Sequence, residues 1–182
     1  IRELSANARD AHVAAGKAEL PFHITLPTWI STEFQIRDFG TGIDPDEFYD
    51  IYTNLGHSTK DHEDLSLIGS EPTTESDGLE ITVDITSNGN VSSFRRECAK
   101  QLAYFDVKPL IYNCDDFEWN EIPELHMGYD VKSGHYYSNI TIVMGGIPYT
   151  SSTDNFPDDV REALKRIELT LVAKLGEVDI PP

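Results

Sequence analysis

Three polar side chains near the start of the chain have the spacing to act together: Glu3, Asn7 and Asp10. On a helix they stand at i, i+4 and i+7, so their ends line one face. A carboxylate, an amide and a second carboxylate in a row can support a metal–phosphate site. A second segment, Asp38-Phe39-Gly40-Thr41-Gly42-Ile43, follows a strand-like Glu33-Phe34-Gln35-Ile36-Arg37, and its glycines let backbone approach a ligand closely. A third, Asn54-Leu55-Gly56-His57-Ser58-Thr59-Lys60, offers hydroxyls and one cation to a phosphate but lacks P-loop spacing. Singly, each has an ordinary reading. The helix face is a solvated one, and Asp-x-Gly-x-Gly is a turn.

The elements that must position these residues follow from periodicity. Residues 1–15 read as a helix, with Ile1, Leu4, Ala8, Ala11 and Ala15 forming a small apolar face and Gly16 a C-terminal stop. Residues 21–26 and 32–37 alternate as neighbouring strands, with Pro27 and Ser31 bracketing the turn. His23 reads as a solvent-facing strand residue, since no second ligand lies near it at metal spacing. Residues 44–55 start as a helix, with Pro45 at its first position and Phe48, Ile51, Tyr52 and Leu55 on its apolar side. Residues 61–77 form an acidic, turn-rich surface stretch, and 79–85 alternate cleanly as a strand. Ser92-Ser93 are expected to cap a helix from Phe94 to about Tyr104, with Cys98, Leu102 and Phe105 inward, followed by a strand at 108–113. From residue 115 an acidic linker leads into β-rich sequence. Strands are expected at 125–132, 136–144, 148–151 and 169–175, with Ser133-Gly134 as a hairpin turn. A helix at 157–167 should turn Val160, Leu164 and Ile167 inward. The expected division is therefore 1–114 and 115–182.

Composition narrows the function. The 182 residues carry 32 acidic against 14 basic side chains, a net charge of −18, and no basic stripe. That argues against binding nucleic acid by phosphate neutralisation. Hydrophobic content of 39% and two tryptophans argue against disorder. Cys98 and Cys114 lack metal spacing and read as reduced, buried thiols. No apolar run approaches the ~20 residues of a membrane-spanning helix. The sequence, opening inside a helical motif, reads as a piece of something longer.

In order and spacing, the Glu3/Asn7/Asp10 helix, the Asp38 turn and Ser58-Thr59-Lys60 resemble the Bergerat-type ATP-binding fold. That superfamily includes the ATP-hydrolysing half of DNA gyrase, the ninety-kilodalton heat-shock chaperones, histidine kinases and MutL. More narrowly, residues 1–16, 38–43, 55–60, 144–149 and 175–181 look like the phage rIIA lysis-inhibition proteins. The resemblance implies an α+β fold: a Bergerat-type sandwich, its mixed, mainly antiparallel sheet covered by the helices at 1–15, 44–55 and 93–105. An incomplete transducer-like α+β unit would follow. It implies ATP and Mg²⁺ as ligands, Glu3 as the general base for the attacking water, and Asn7 as the Mg²⁺ ligand. Asp10 would support the site and Asp38 would accept from the adenine amino group. Gly40 and Gly42 would lie against the nucleotide, and Ser58, Thr59 and Lys60 would stand where the phosphate lid begins. It further implies a homodimer or a host protein as partner, in the host cytoplasm or peripherally at the inner membrane.

Two departures bear on that picture. The superfamily's glycine-rich lid is reduced to Gly69 between Lys60 and Gly78, and Leu79 stands where relatives carry a hydroxyl that helps hold adenine. A non-enzymatic acidic protein that keeps the fold and binds a host factor is therefore the alternative. A third, an acidic mimic of DNA, rests on charge alone.

Overall fold

The computed structural model describes residues 1–43, 74–85, 91–124, 128–133, 139–151, 153, 156–165, 167–174 and 177. These form three helices, α1 (Arg2–Ala14), α2 (Val91–Gln101) and α3 (Asp158–Leu164), and eight strands in two mixed sheets. The fold is α+β. The expected helix at 44–55, Ser58, Thr59, Lys60 and most of the acidic stretch at 61–77 lie outside the described residues.

The first sheet contains β1 (His23–Thr25), β2 (Glu33–Arg37), β3 (Glu80–Asp84) and β4 (Leu110–Tyr112), in the order β3-β2-β1-β4. β1 pairs antiparallel with β2 and parallel with β4, and β2 pairs antiparallel with β3. The strand period of two turns Ile24, Phe34 and Ile36 to one face and leaves His23, Thr25, Gln35 and Arg37 on the other. Onto the apolar face pack Ala8 from α1, Cys98 from α2 and Leu102 just beyond it. Each large side chain buried there contributes roughly 1.5–3 kcal/mol. The β1–β2 turn closes as Thr28 N–H donates to the Ser31 carbonyl at 2.7 Å and Thr28 Oγ1 accepts from Ser31 N–H at 3.0 Å.

The second sheet contains β5 (Tyr129–Ser133), β6 (Asn139–Met144), β7 (Ile147–Ser151) and β8 (Ile167–Ala173), in the order β5-β8-β6-β7. The expected β5–β6 hairpin at Ser133-Gly134 does not form, because β8 lies between the two strands, antiparallel to β5 and parallel to β6. The hairpin is β6–β7 instead, turning through Gly145-Gly146. Its Ile147 is buried in the core of the first sheet and Tyr149 packs against that core.

Three further expectations change. Ser92 and Ser93 lie inside the first turn of α2, which starts at Val91, rather than ahead of it. α3 is shorter than 157–167 and buries no residue; Val160 is 38% exposed and Ile167 belongs to β8. Of the two free thiols, only Cys98 is fully buried, and burial pushes it up to about 12; Cys114 is half-buried.

Candidate functional site

Helix α1 presents Glu3, Asn7 and Asp10 to solvent on one face, as their spacing predicts. The buried residues of the helix are Ser5, Ala8 and His12, whereas Ile1, Leu4, Ala11 and Ala15 of the expected apolar face are half-buried. Ser5 Oγ has no hydrogen-bond partner among the described residues. The two carboxylates of the polar row each pair with the preceding arginine. Arg2 Nε lies 3.2 Å from Glu3, and an Arg9 guanidinium nitrogen lies 2.9 Å from Asp10. Such exposed pairs contribute at most ~1 kcal/mol. Both arginines also reach the β6–β7 hairpin region: Arg2 lies 4.9 Å over the Tyr149 ring, and Arg9 donates to the Gly145 carbonyl.

The Asp38 turn is built more tightly. Asp38 is 6% exposed, and its Oδ1 accepts from Gly40 N–H at 2.9 Å and from Leu79 N–H at 3.2 Å. Asp38 N–H donates to the Leu79 carbonyl at 2.9 Å. No described residue bonds Oδ2. The carboxylate is therefore aimed by backbone, and one oxygen is left to accept from something else. Leu79 contributes its main chain here, which needs no hydroxyl.

Glycines permit this geometry. A Cβ on Gly40 would lie 2.7 Å from the Ala11 Cβ, so the space its missing side chain opens is taken by α1. Gly78 passes so close to Asp38 that a Cβ would lie 2.1 Å from the Asp38 carbonyl oxygen, and Gly42 faces the Gly78 backbone.

Two positions that the sequence pattern does not single out, His12 and Lys17, complete the turn. Phe39 N–H donates to His12 Nε2 at 2.7 Å, and the Phe39 carbonyl accepts from Lys17 Nζ at 2.6 Å. Gly78 supplies the close crossing. His12 had one visible signal: it lies among Ala8, Ala11 and Ala15 on an otherwise apolar face, where a histidine must find partners or cost stability.

No protein-family model matches this sequence, and no curated protein matches it.

Among the described residues no group of three or more His, Cys, Asp or Glu is arranged to hold a metal, and no helix is long and apolar enough to cross a membrane. Two cavities lie away from Asp38. One of about 330 Å³ separates the end of α2 from the second sheet, with Lys100, Tyr104, Lys132 and Glu168 on its walls. The other, of about 430 Å³, lies beside Trp29, Arg95 and Cys114.

On the outer face of the first sheet, His23 packs edge-on against Phe39, with ring centroids 4.7 Å apart, and against Tyr112 at 5.2 Å. Burial first, and then the Arg37 guanidinium, hold its imidazole below the ordinary value of 6.5. Between the two values the unfolded chain carries a proton that the fold does not. Stability should therefore fall as pH drops below 6.5 and stop falling once the folded value is passed. His23→Gln should remove that share of the decline in urea unfolding measured across the window. Equal slopes in both proteins would show that His23 does not contribute.

Proposed function

We propose that this chain is the Mg²⁺-dependent ATP-binding and hydrolysing domain of a phage rIIA-like protein acting in lysis inhibition. The observation that carries the nucleotide reading is the buried Asp38 carboxylate, with Oδ1 held by two backbone amides and Oδ2 unbonded by any described residue. A fixed acceptor of this kind suits an N–H₂ donor such as the adenine amino group. The family part of the reading rests on the sequence segments that resemble rIIA proteins.

The polar row on α1 supports the same reading by its order. The Asp38 turn docks on α1 at Ala11 and His12. At about 1.5 Å rise per residue, Asn7 stands about 6 Å and Glu3 about 12 Å along the axis from Ala11. A nucleotide with its base at Asp38 would thus run its phosphates past Asn7 toward Glu3. Asn7 fits a Mg²⁺ site because that ion keeps water and phosphate oxygens and needs few protein donors. When bound, Mg²⁺ would neutralise phosphate charge. Glu3 would hold the attacking water and accept its proton, and Asp10 would support the row. Ser58, Thr59 and Lys60 remain the proposed phosphate contacts.

A second reading, binding without turnover, is favoured by the sequence between Lys60 and Gly78, which carries the single glycine Gly69 where the superfamily has a glycine-rich lid. In that case the acidic protein would act through a host partner.

Asp38→Asn tests the adenine site. Losing a charge-assisted acceptor should weaken ATP binding by about 1.5–3 kcal/mol in calorimetry. Equal affinities for the two proteins would remove the adenine assignment.

A further inference from the structure

We infer that His12 is the positioning residue for Asp38, acting through the backbone of Phe39; this rests on the adenine reading of Asp38. His12 is 1% exposed, and both ring nitrogens are engaged. Phe39 N–H must donate, so Nε2 is the bare acceptor, at 2.7 Å. Nδ1 therefore carries the proton and donates to the Leu20 carbonyl, also at 2.7 Å. The ring sits among Phe22 and Phe39, with centroids 6.4 and 6.0 Å away.

The consequence lies one peptide away. Phe39 follows Asp38 directly, and the next amide, Gly40 N–H, is one of the two that hold Asp38 Oδ1. With Lys17 on the Phe39 carbonyl, α1 and the residues just after it hold the two peptide groups that flank Phe39. An apolar residue at position 12 would orphan the Phe39 N–H and the Leu20 carbonyl together. The orphaned amide would turn toward water and take the aim of Asp38 with it. His12 thus ties the helix bearing Glu3 and Asn7 to the turn bearing Asp38, touching no nucleotide itself.

The test uses the whole chain and two variants. His12→Leu fills the space without either bond. In His12→Gln the amide can donate to Leu20 and accept from Phe39. In His12→Leu, the Phe39 amide should exchange with solvent at least about tenfold faster without nucleotide, the scale of one lost hydrogen bond. Its ATP affinity should fall by about tenfold and its preference for ATP over GTP should narrow, with His12→Gln restoring both. A merely structural histidine would lower thermal stability and leave that preference unchanged. Wild-type exchange at Phe39, or a wild-type ATP-to-GTP ratio, in folded His12→Leu overturns the proposal. Should His12→Leu fail to fold, the proton–nitrogen correlation spectrum of the wild-type imidazole decides: a protonated Nε2 overturns it and a bare Nε2 supports it. If the wild type binds no ATP while Phe39 exchange still follows His12, the adenine reading falls and the hold of His12 on the turn stands.

Discussion

Gly78→Ala should destabilise the protein by roughly 2–6 kcal/mol, a large part of the ~5–15 kcal/mol that holds a typical domain folded. Two costs combine. Gly78 sits at φ +137°, where an L side chain is strained by about 1–3 kcal/mol. The new Cβ would also lie 2.1 Å from the Asp38 carbonyl oxygen, 2.8 Å from its carbonyl carbon and 2.9 Å from the Phe39 Cα. These are backbone atoms and cannot rotate away, so the start of β3 and the Asp38 turn must part, at a further cost of about 1–3 kcal/mol. Parting them breaks both hydrogen bonds between Asp38 and Leu79, so whatever ATP binding the wild type shows should be lost with stability. Gly16→Ala is the control. Gly16 also has positive φ, +69°, but nothing lies within 4 Å of its Cβ position, and its cost should be only about 1–2 kcal/mol. Urea unfolding of both variants checks this. Equal losses at the two positions would mean that the close crossing at Asp38 carries no energy of its own.

The contrast between these glycines marks how much was legible in the sequence. Gly16 ends α1 by local conformation, and the sequence shows it: Lys17 N–H returns to the His12 carbonyl at 2.8 Å and Gly16 N–H to Val13 at 3.0 Å. Gly78 is needed because a segment forty residues earlier passes it, which no local pattern records. The strands of the first sheet were readable because they alternate and only one face is buried, so Phe34 and Ile36 had to point together. The order of the second sheet was not. Ser133-Gly134 looks like a hairpin turn, yet β6 pairs with β8 from Asn139 opposite Glu168 to Met144 opposite Ala173, contacts that lie about thirty residues apart. α3 misled for the opposite reason. Its Val160 and Leu164 have helical spacing, but neither is buried. At the site, the polar row on α1 was visible as a pattern. His12 stood out only as a polar group on an apolar face, and its role was not visible because it depends on Phe39 arriving from another element.

The largest expected effect on activity belongs to Glu3. A general base must accept a proton from the attacking water, and an amide of the same size cannot. Glu3→Gln keeps the side-chain length and one acceptor oxygen, so ATP should still bind with unchanged affinity. Hydrolysis should slow by about a hundredfold or more, equivalent to about 2.7 kcal/mol of transition-state stabilisation. The Arg2–Glu3 pair at 3.2 Å does not stand against this role, because Glu3 is 79% exposed and such a pair is worth at most ~1 kcal/mol. Bound phosphate would attract the Arg2 guanidinium and free the carboxylate. Asn7→Ala separates the two functions proposed for the row: it should reduce the Mg²⁺-dependent part of ATP binding, whereas Glu3→Gln should not. Calorimetry with and without Mg²⁺, beside a phosphate-release assay, reads both. If the wild type releases phosphate no faster than Glu3→Gln, Glu3 is no base. The chain would then be a nucleotide-fold protein that acts by binding, and its acidic surface would be the place to seek the partner.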